Sequence, residues 1–252
     1  MNQIIKRVLI MIVMIILLLG VPRLAGAVAN QFDYQAFDPD GAYAWISVHH
    51  VVQALVFLFL IFLLMRLRPW LEKIGMTKDW QSDFYLGAGH VRLGFKLVGI
   101  FTLFFLIYTT GAFVTTLLTR QYNPFPYPVN ALNISGYLGF QLLLSGPSEE
   151  LIFRAFAMTI FAIVIPGRIL KSRLSHANWV AALIFAVAHI SFTFAPFTIG
   201  FSTFQLIFAF VLGLFYGDVL EKSKSVYYPM MMHSIANVIM VTVTLILGLI
   251  IG

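Results

Sequence analysis

Six polar residues interrupt the apolar runs of this sequence at spacings that could support chemistry. Glu149, Glu150 and Arg154 lie in Ser145-Gly146-Pro147-Ser148-Glu149-Glu150-Leu151-Ile152-Phe153-Arg154. His189 ends Phe185-Ala186-Val187-Ala188-His189, and His233 and Asn237 bound His233-Ser234-Ile235-Ala236-Asn237. A charge at mid-membrane costs on the order of 2.5–3.5 kcal/mol or more unless it is paired or hydrated. At about 100° per residue, Glu150 and Arg154 share one helix face and can form an ion pair. Glu149 lies about 140° away from Arg154, so its carboxylate is left over. A spare carboxylate in reach of water is a general base. His233 and Asn237 are also four apart and can both donate hydrogen bonds, as an oxyanion site requires. His189 is the remaining polar group, and with Glu149 it can hold and polarise a water molecule.

The elements that must position these groups follow from composition. The chain has 252 residues, of which 60% are hydrophobic and only 10% charged, with a mean hydropathy of +0.92. Soluble domains are about half apolar and about a quarter charged, so a soluble globular enzyme and a disordered chain are both excluded. Cys is absent, which removes disulfides, a thiolate nucleophile and Cys-ligated metals. The net charge of +6 reads as basic loops beside a membrane rather than as a nucleic-acid surface. Seven apolar stretches, at about 8–22, 44–65, 97–118, 134–161, 178–192, 199–216 and 228–251, predict an all-α, polytopic membrane helix bundle. The runs are continuous rather than alternating, so no strands are expected. Residues 31–252 read as a single membrane domain without internal repeats.

Basic residues set the orientation. Lys6, Arg7, Arg66, Arg68, Lys73, Lys78, Arg92, Lys96, Arg168, Lys171, Arg173, Lys222 and Lys224 fall on one side of seven spans, and only Arg23 and Arg120 on the other. This predicts a cytoplasmic N-terminus and an outer C-terminus. Residues 1–30 read either as a signal anchor or as a signal peptide whose removal would leave six spans. The loop 66–96, with Trp70, Ile74, Trp80, Phe84 and Tyr85, reads as an interfacial helix or as an ordinary connection. His49 and His50 point about 100° apart and are taken as interfacial. Gly146-Pro147 predicts a break that opens a water-accessible space beside Glu149.

The motifs EExxxR at 149–154, FxxxH at 185–189 and HxxxN at 233–237 resemble the three signatures of the CAAX protease and bacteriocin-processing family of intramembrane peptidases. The resemblance covers about residues 130–245. It implies an intramembrane endopeptidase that hydrolyses a peptide bond, with a membrane peptide or protein as substrate and the lipid bilayer as its medium. It also implies a multi-pass protein of a cell membrane, in the branch resembled a bacterial plasma membrane. By the same resemblance Glu149 and His189 activate water and His233 and Asn237 stabilise the oxyanion, with Glu150 and Arg154 in support. No cofactor is required on this reading. If zinc were used, Glu149, His189 and His233 would be its ligands, but HExxH is absent and metal-free chemistry is favoured.

Other plans fit less well. A rhomboid needs Gly-x-Ser-Gly, and Glu149 follows Gly146-Pro147-Ser148. An aspartyl type needs two intramembrane Asp residues, and Asp218 stands alone at a span end. A proton-coupled transporter lacks the expected repeat symmetry, and a non-proteolytic immunity or binding protein stays open as an alternative. One conflict remains at this level. Counted from the loops, Glu149, His189 and His233 lie at different depths, so a span must begin early, tilt or kink if they are to meet.

Overall fold

The structure, a computed structural model, describes residues 3–73, 81, 83–169, 174–194 and 196–251. Among these residues there are seven helices: α1 (Gln3–Ala29), α2 (Ala44–Lys73), α3 (Val91–Thr119), α4, α5 (His176–Val187), α6 (Thr203–Ser223) and α7 (Tyr227–Ile251). Helix α4 is one helical run in five segments. Ala131–Phe140, Gly146–Glu150 and Thr159–Val164 are α-helical, and Gln141–Ser145 and Leu151–Met158 between them are π-helical. Helices α1, α2, α3, α6 and α7 are long and apolar enough to cross a membrane. Their outward faces carry exposed Phe62, Phe104, Ile107, Leu118 and Leu249, a surface suited to hydrocarbon and not to water. The protein is thus a mostly helical, multi-pass membrane bundle.

One predicted span is corrected. Helix α5 has 12 residues, about 18 Å at 1.5 Å per residue, too short for a ~30 Å hydrocarbon core. It begins only two residues before the predicted 178, because Ser175 caps it, accepting a hydrogen bond from Asn178 N at 3.0 Å. Strands also exist, against expectation. After α5 comes an antiparallel hairpin of β1 (Ser191–Phe194) and β2 (Phe197–Gly200), with Ser191 opposite Gly200. Ser-Phe-Thr-Phe and Phe-Thr-Ile-Gly alternate with a period of two around Ala195-Pro196, the local signal of a hairpin.

Two apolar clusters hold the bundle. One joins Leu18 of α1, Phe57 and Ile61 of α2, Ile152 and Phe156 of α4 and Ala181 of α5. The other joins Phe101 and Phe105 of α3, Tyr216 of α6 and Met232 of α7. The interfacial helix at 66–96 is not seen in the described part. Trp70 belongs to α2, and Phe84 is fully buried in the first cluster. Ile74, Lys78, Trp80, Lys171 and Arg173 lie outside the described residues. The segment before α3 docks on the α6–α7 turn: Val226 N donates to Tyr85 O (2.9 Å) and His90 N to Ser223 O (2.6 Å). Gly89 sits there at φ +57, where a Cβ would meet Ser223 O at 2.1 Å, so only glycine fits. Burial, reinforced by Glu221 and Asp83, pushes the Tyr85 hydroxyl up to about 12.

The other end of the bundle is tied by Asp38, which is buried. Its carboxylate accepts from Ala44 N (2.6 Å), the first residue of α2, and from Ala42 N (2.8 Å) and Tyr43 N (2.9 Å) just before it, so it tethers the start of the helix. Asn133 of α4 donates to Asp40 in the same loop (2.9 Å). These bonds set the height and rotation of α2 against α4.

Candidate active site

The site is built where α4 departs from α-helical geometry. Pro147 has no N–H to give to the carbonyl four residues earlier, and the π-helical turn Gln141–Ser145 immediately precedes its segment. Such wide turns absorb a lost ladder bond and are common at functional positions. Gly146 then brings α4 against α7. A Cβ at this position would lie 2.8 Å from Ser234 N and 3.1 Å from His233 Cβ. Glu149 and Glu150 follow within one turn and so face His233.

Glu150 and Arg154 are fully buried, with Arg154 Nε 3.0 Å from Glu150 Oε2. The guanidinium lies 4.8 Å from the Phe185 ring centroid and 5.9 Å from that of Tyr216, which supplies cation–π attraction where water is excluded. The other oxygen, Glu150 Oε1, accepts from His233 Nδ1 at 2.8 Å. This bond requires a proton on His233 Nδ1 and turns Nε2 outward. Tyr216 stacks on the His233 ring, centroids 5.3 Å apart.

Glu149 has 19% of its side chain open, against none for Glu150. It is not without neighbours, as a spare charge would be. His233 Nε2 lies 3.8 Å from its Oε2 and His50 Nε2 3.9 Å from its Oε1. His50 corrects the sequence reading directly. It is not interfacial but 5% exposed, and its Nδ1 is 2.6 Å from Ser148 Oγ and 3.2 Å from Gln53 Nε2. The available signal was His50 and Gln53 three apart on one face of an apolar span, the same spacing logic that selects His233 and Asn237.

His189 lies just beyond the C-terminus of α5, not within a span. Its Nδ1 donates to Phe185 O at 2.8 Å, which leaves Nε2 as the acceptor nitrogen of the neutral ring. Phe185 links the groups: its ring contacts His189 at 4.9 Å, Phe153 at 5.1 Å and His233 at 6.0 Å. His189, His233, His50 and Arg154 are the polar groups that surround Glu149. His233 meets both acids, while His189 reaches this group through its contact with Phe185. Asn237 donates one amide hydrogen to Ser145 Oγ at 3.1 Å and keeps a second.

Zinc would require Glu149, His189 and His233 to converge as donors. Among the described residues no group of three or more His, Asp or Glu side chains has an arrangement that could hold a metal ion.

Residues 132–239 match the family model of type II CAAX prenyl endopeptidase Rce1-like proteins. The matched segment runs from α4 into α7. It contains Glu149, Glu150, Arg154, His189, His233 and Asn237, and excludes α1, α2 and α3 with His50 and Gln53. Comparison with curated proteins and with solved structures gave no match. The part of the chain that carries these two acids, two histidines and the amide is therefore similar to type II CAAX prenyl endopeptidase Rce1-like proteins.

Proposed function

We propose that the protein is an intramembrane endopeptidase in which Glu149 is the general base. The observation that carries this reading is the contrast between adjacent acids. Glu150 is sealed and doubly engaged, by Arg154 at 3.0 Å and His233 at 2.8 Å, whereas Glu149 is partly open and faces only ring nitrogens at longer range. The Glu149 carboxylate takes a proton from a water whose other contact is His189 Nε2, and the water oxygen attacks the scissile carbonyl carbon. Negative charge develops on the carbonyl oxygen. The second Asn237 hydrogen and an Nε2–H on protonated His233 are suited to receive it, and Glu150 stabilises that protonated ring through Nδ1. As the C–N bond breaks, the proton held by Glu149 passes to the leaving amine. No step is routed through a metal. The substrate is a membrane peptide or membrane-anchored protein, and the host membrane is a plasma membrane with the N-terminus of α1 on the cytoplasmic side.

The test is a comparison of membrane proteomes from cells carrying wild-type protein or Glu149→Gln. Peptides whose cleavage disappears in the variant identify the substrate. Loss of about 10²–10⁴ in turnover is expected for a missing general base. Unchanged processing by an equally abundant Glu149→Gln protein would contradict the reading and favour a binding role.

A further inference from the structure

The segment matched to the family ends its N-terminal side at residue 132, yet a histidine from α2 reaches the acid centre. A buried imidazole needs partners for both nitrogens. In His50, Nδ1 is met by Ser148 Oγ at 2.6 Å and by the Gln53 amide at 3.2 Å. The Gln53 amide nitrogen can only donate, so its contact makes Nδ1 the acceptor and places the ring proton on Nε2, with the Ser148 hydroxyl turning its proton to Nδ1 in place of Ser145 O at 3.2 Å. His50 Nε2 lies 3.9 Å from Glu149 Oε1. The ring is held by edge contacts with Phe140 at 5.0 Å and His49 at 5.3 Å. Ser148 and Gln53 both meet Nδ1, so the second nitrogen is left to the Glu149 carboxylate.

We propose that His50 is a positioning residue for Glu149: it holds Oε1 from the α2 side while His233 faces Oε2 from the α7 side, so the carboxylate presents one defined edge to water. The proposal rests on Glu149 being the base. The 3.9 Å separation exceeds a hydrogen bond, and such contacts in empty sites tighten when substrate binds. Gln53 and Ser148 act through His50 by fixing its tautomer and ring plane, as second-layer partners do at other histidine sites.

The test uses purified full-length protein in lipid vesicles and the variants His50→Leu and His50→Gln. Gln retains an N–H near the position of Nε2, and Leu does not. The first readout needs no substrate: the carboxylate stretch of Glu149 in isotope-edited infrared difference spectra, assigned by its disappearance in Glu149→Gln. His50→Leu should shift that band, and His50→Gln should leave it near the wild-type position. The second readout is turnover of an internally quenched, farnesylated CAAX peptide. His50→Leu should lower kcat by about 10–100-fold with KM within about twofold, and His50→Gln should recover most of the loss. An unmoved band in His50→Leu, or equal defects in both variants, would overturn the proposal and leave His50 as helix packing. If His50→Leu fails to accumulate, Gln53→Leu replaces it, with a smaller shift of the same band expected and no shift counting against the proposal. Full turnover by Glu149→Gln would instead remove the base assignment, while the band shift still decides whether His50 touches Glu149.

Discussion

The Glu150–Arg154 pair is the most demanding arrangement at the residue scale, because both side chains are fully buried. Arg154 balances a charge that Glu150 also shares with His233. Arg154→Leu leaves that carboxylate with one partner in a dry interior. Breaking a buried pair costs about 3–5 kcal/mol, so a large fall in unfolding temperature in detergent is expected. Arg154→Lys should recover little, since a point charge cannot lie flat between Phe185 and Tyr216 as a guanidinium does. A near-wild-type unfolding temperature for Arg154→Leu would show that Glu150 is held neutral by other means. The same contrast explains why Glu149, partly open, is the residue whose loss should affect turnover and not folding.

At the scale of the element, α4 matters more for its breaks than for its length. Gly146 is the point of closest approach to α7. Gly146→Val would push Ser234 and His233 away and separate the histidine from both acids. Activity should fall below detection, while Gly99→Val, where a Cβ meets nothing within 4 Å, should behave as wild type. Pro147→Ala restores a backbone donor and allows the π-helical turn at Gln141–Ser145 to close into an α-turn. The Glu149 side chain would then rotate about the α4 axis away from His233. Reduced turnover with unchanged abundance is expected, and full activity with unchanged water access to Glu149 would mean that the turn has another cause.

At the scale of the whole molecule, the orientation expected from sequence rests on basic residues such as Arg66, Arg68, Arg92, Lys96, Lys222 and Lys224 lying on one side, with the segment of α5 and the hairpin counted as one crossing. Reporter tags at the N-terminus and after Gly252 should therefore give opposite accessibility in intact cells, and tags reporting the same side would overturn the odd number of crossings. Much of this architecture was legible from sequence. The apolar fraction determined the membrane class, and the i,i+4 spacing determined that Glu150 could reach Arg154, because neighbours on one helix turn are set by local geometry alone. The three motifs likewise singled out the segment that the family model matches. The rest was decided by tertiary structure. No local rule shows that His233 bonds Glu150 while facing Glu149, that His50 enters from α2, that α5 stops short of a span, or that Phe84 is core. Those contacts depend on the rotation and height of one helix against another. They are set by approaches such as Gly146 to Ser234 and Asn133 to Asp40, which join segments far apart in the chain, where side-chain periodicity carries no information about register.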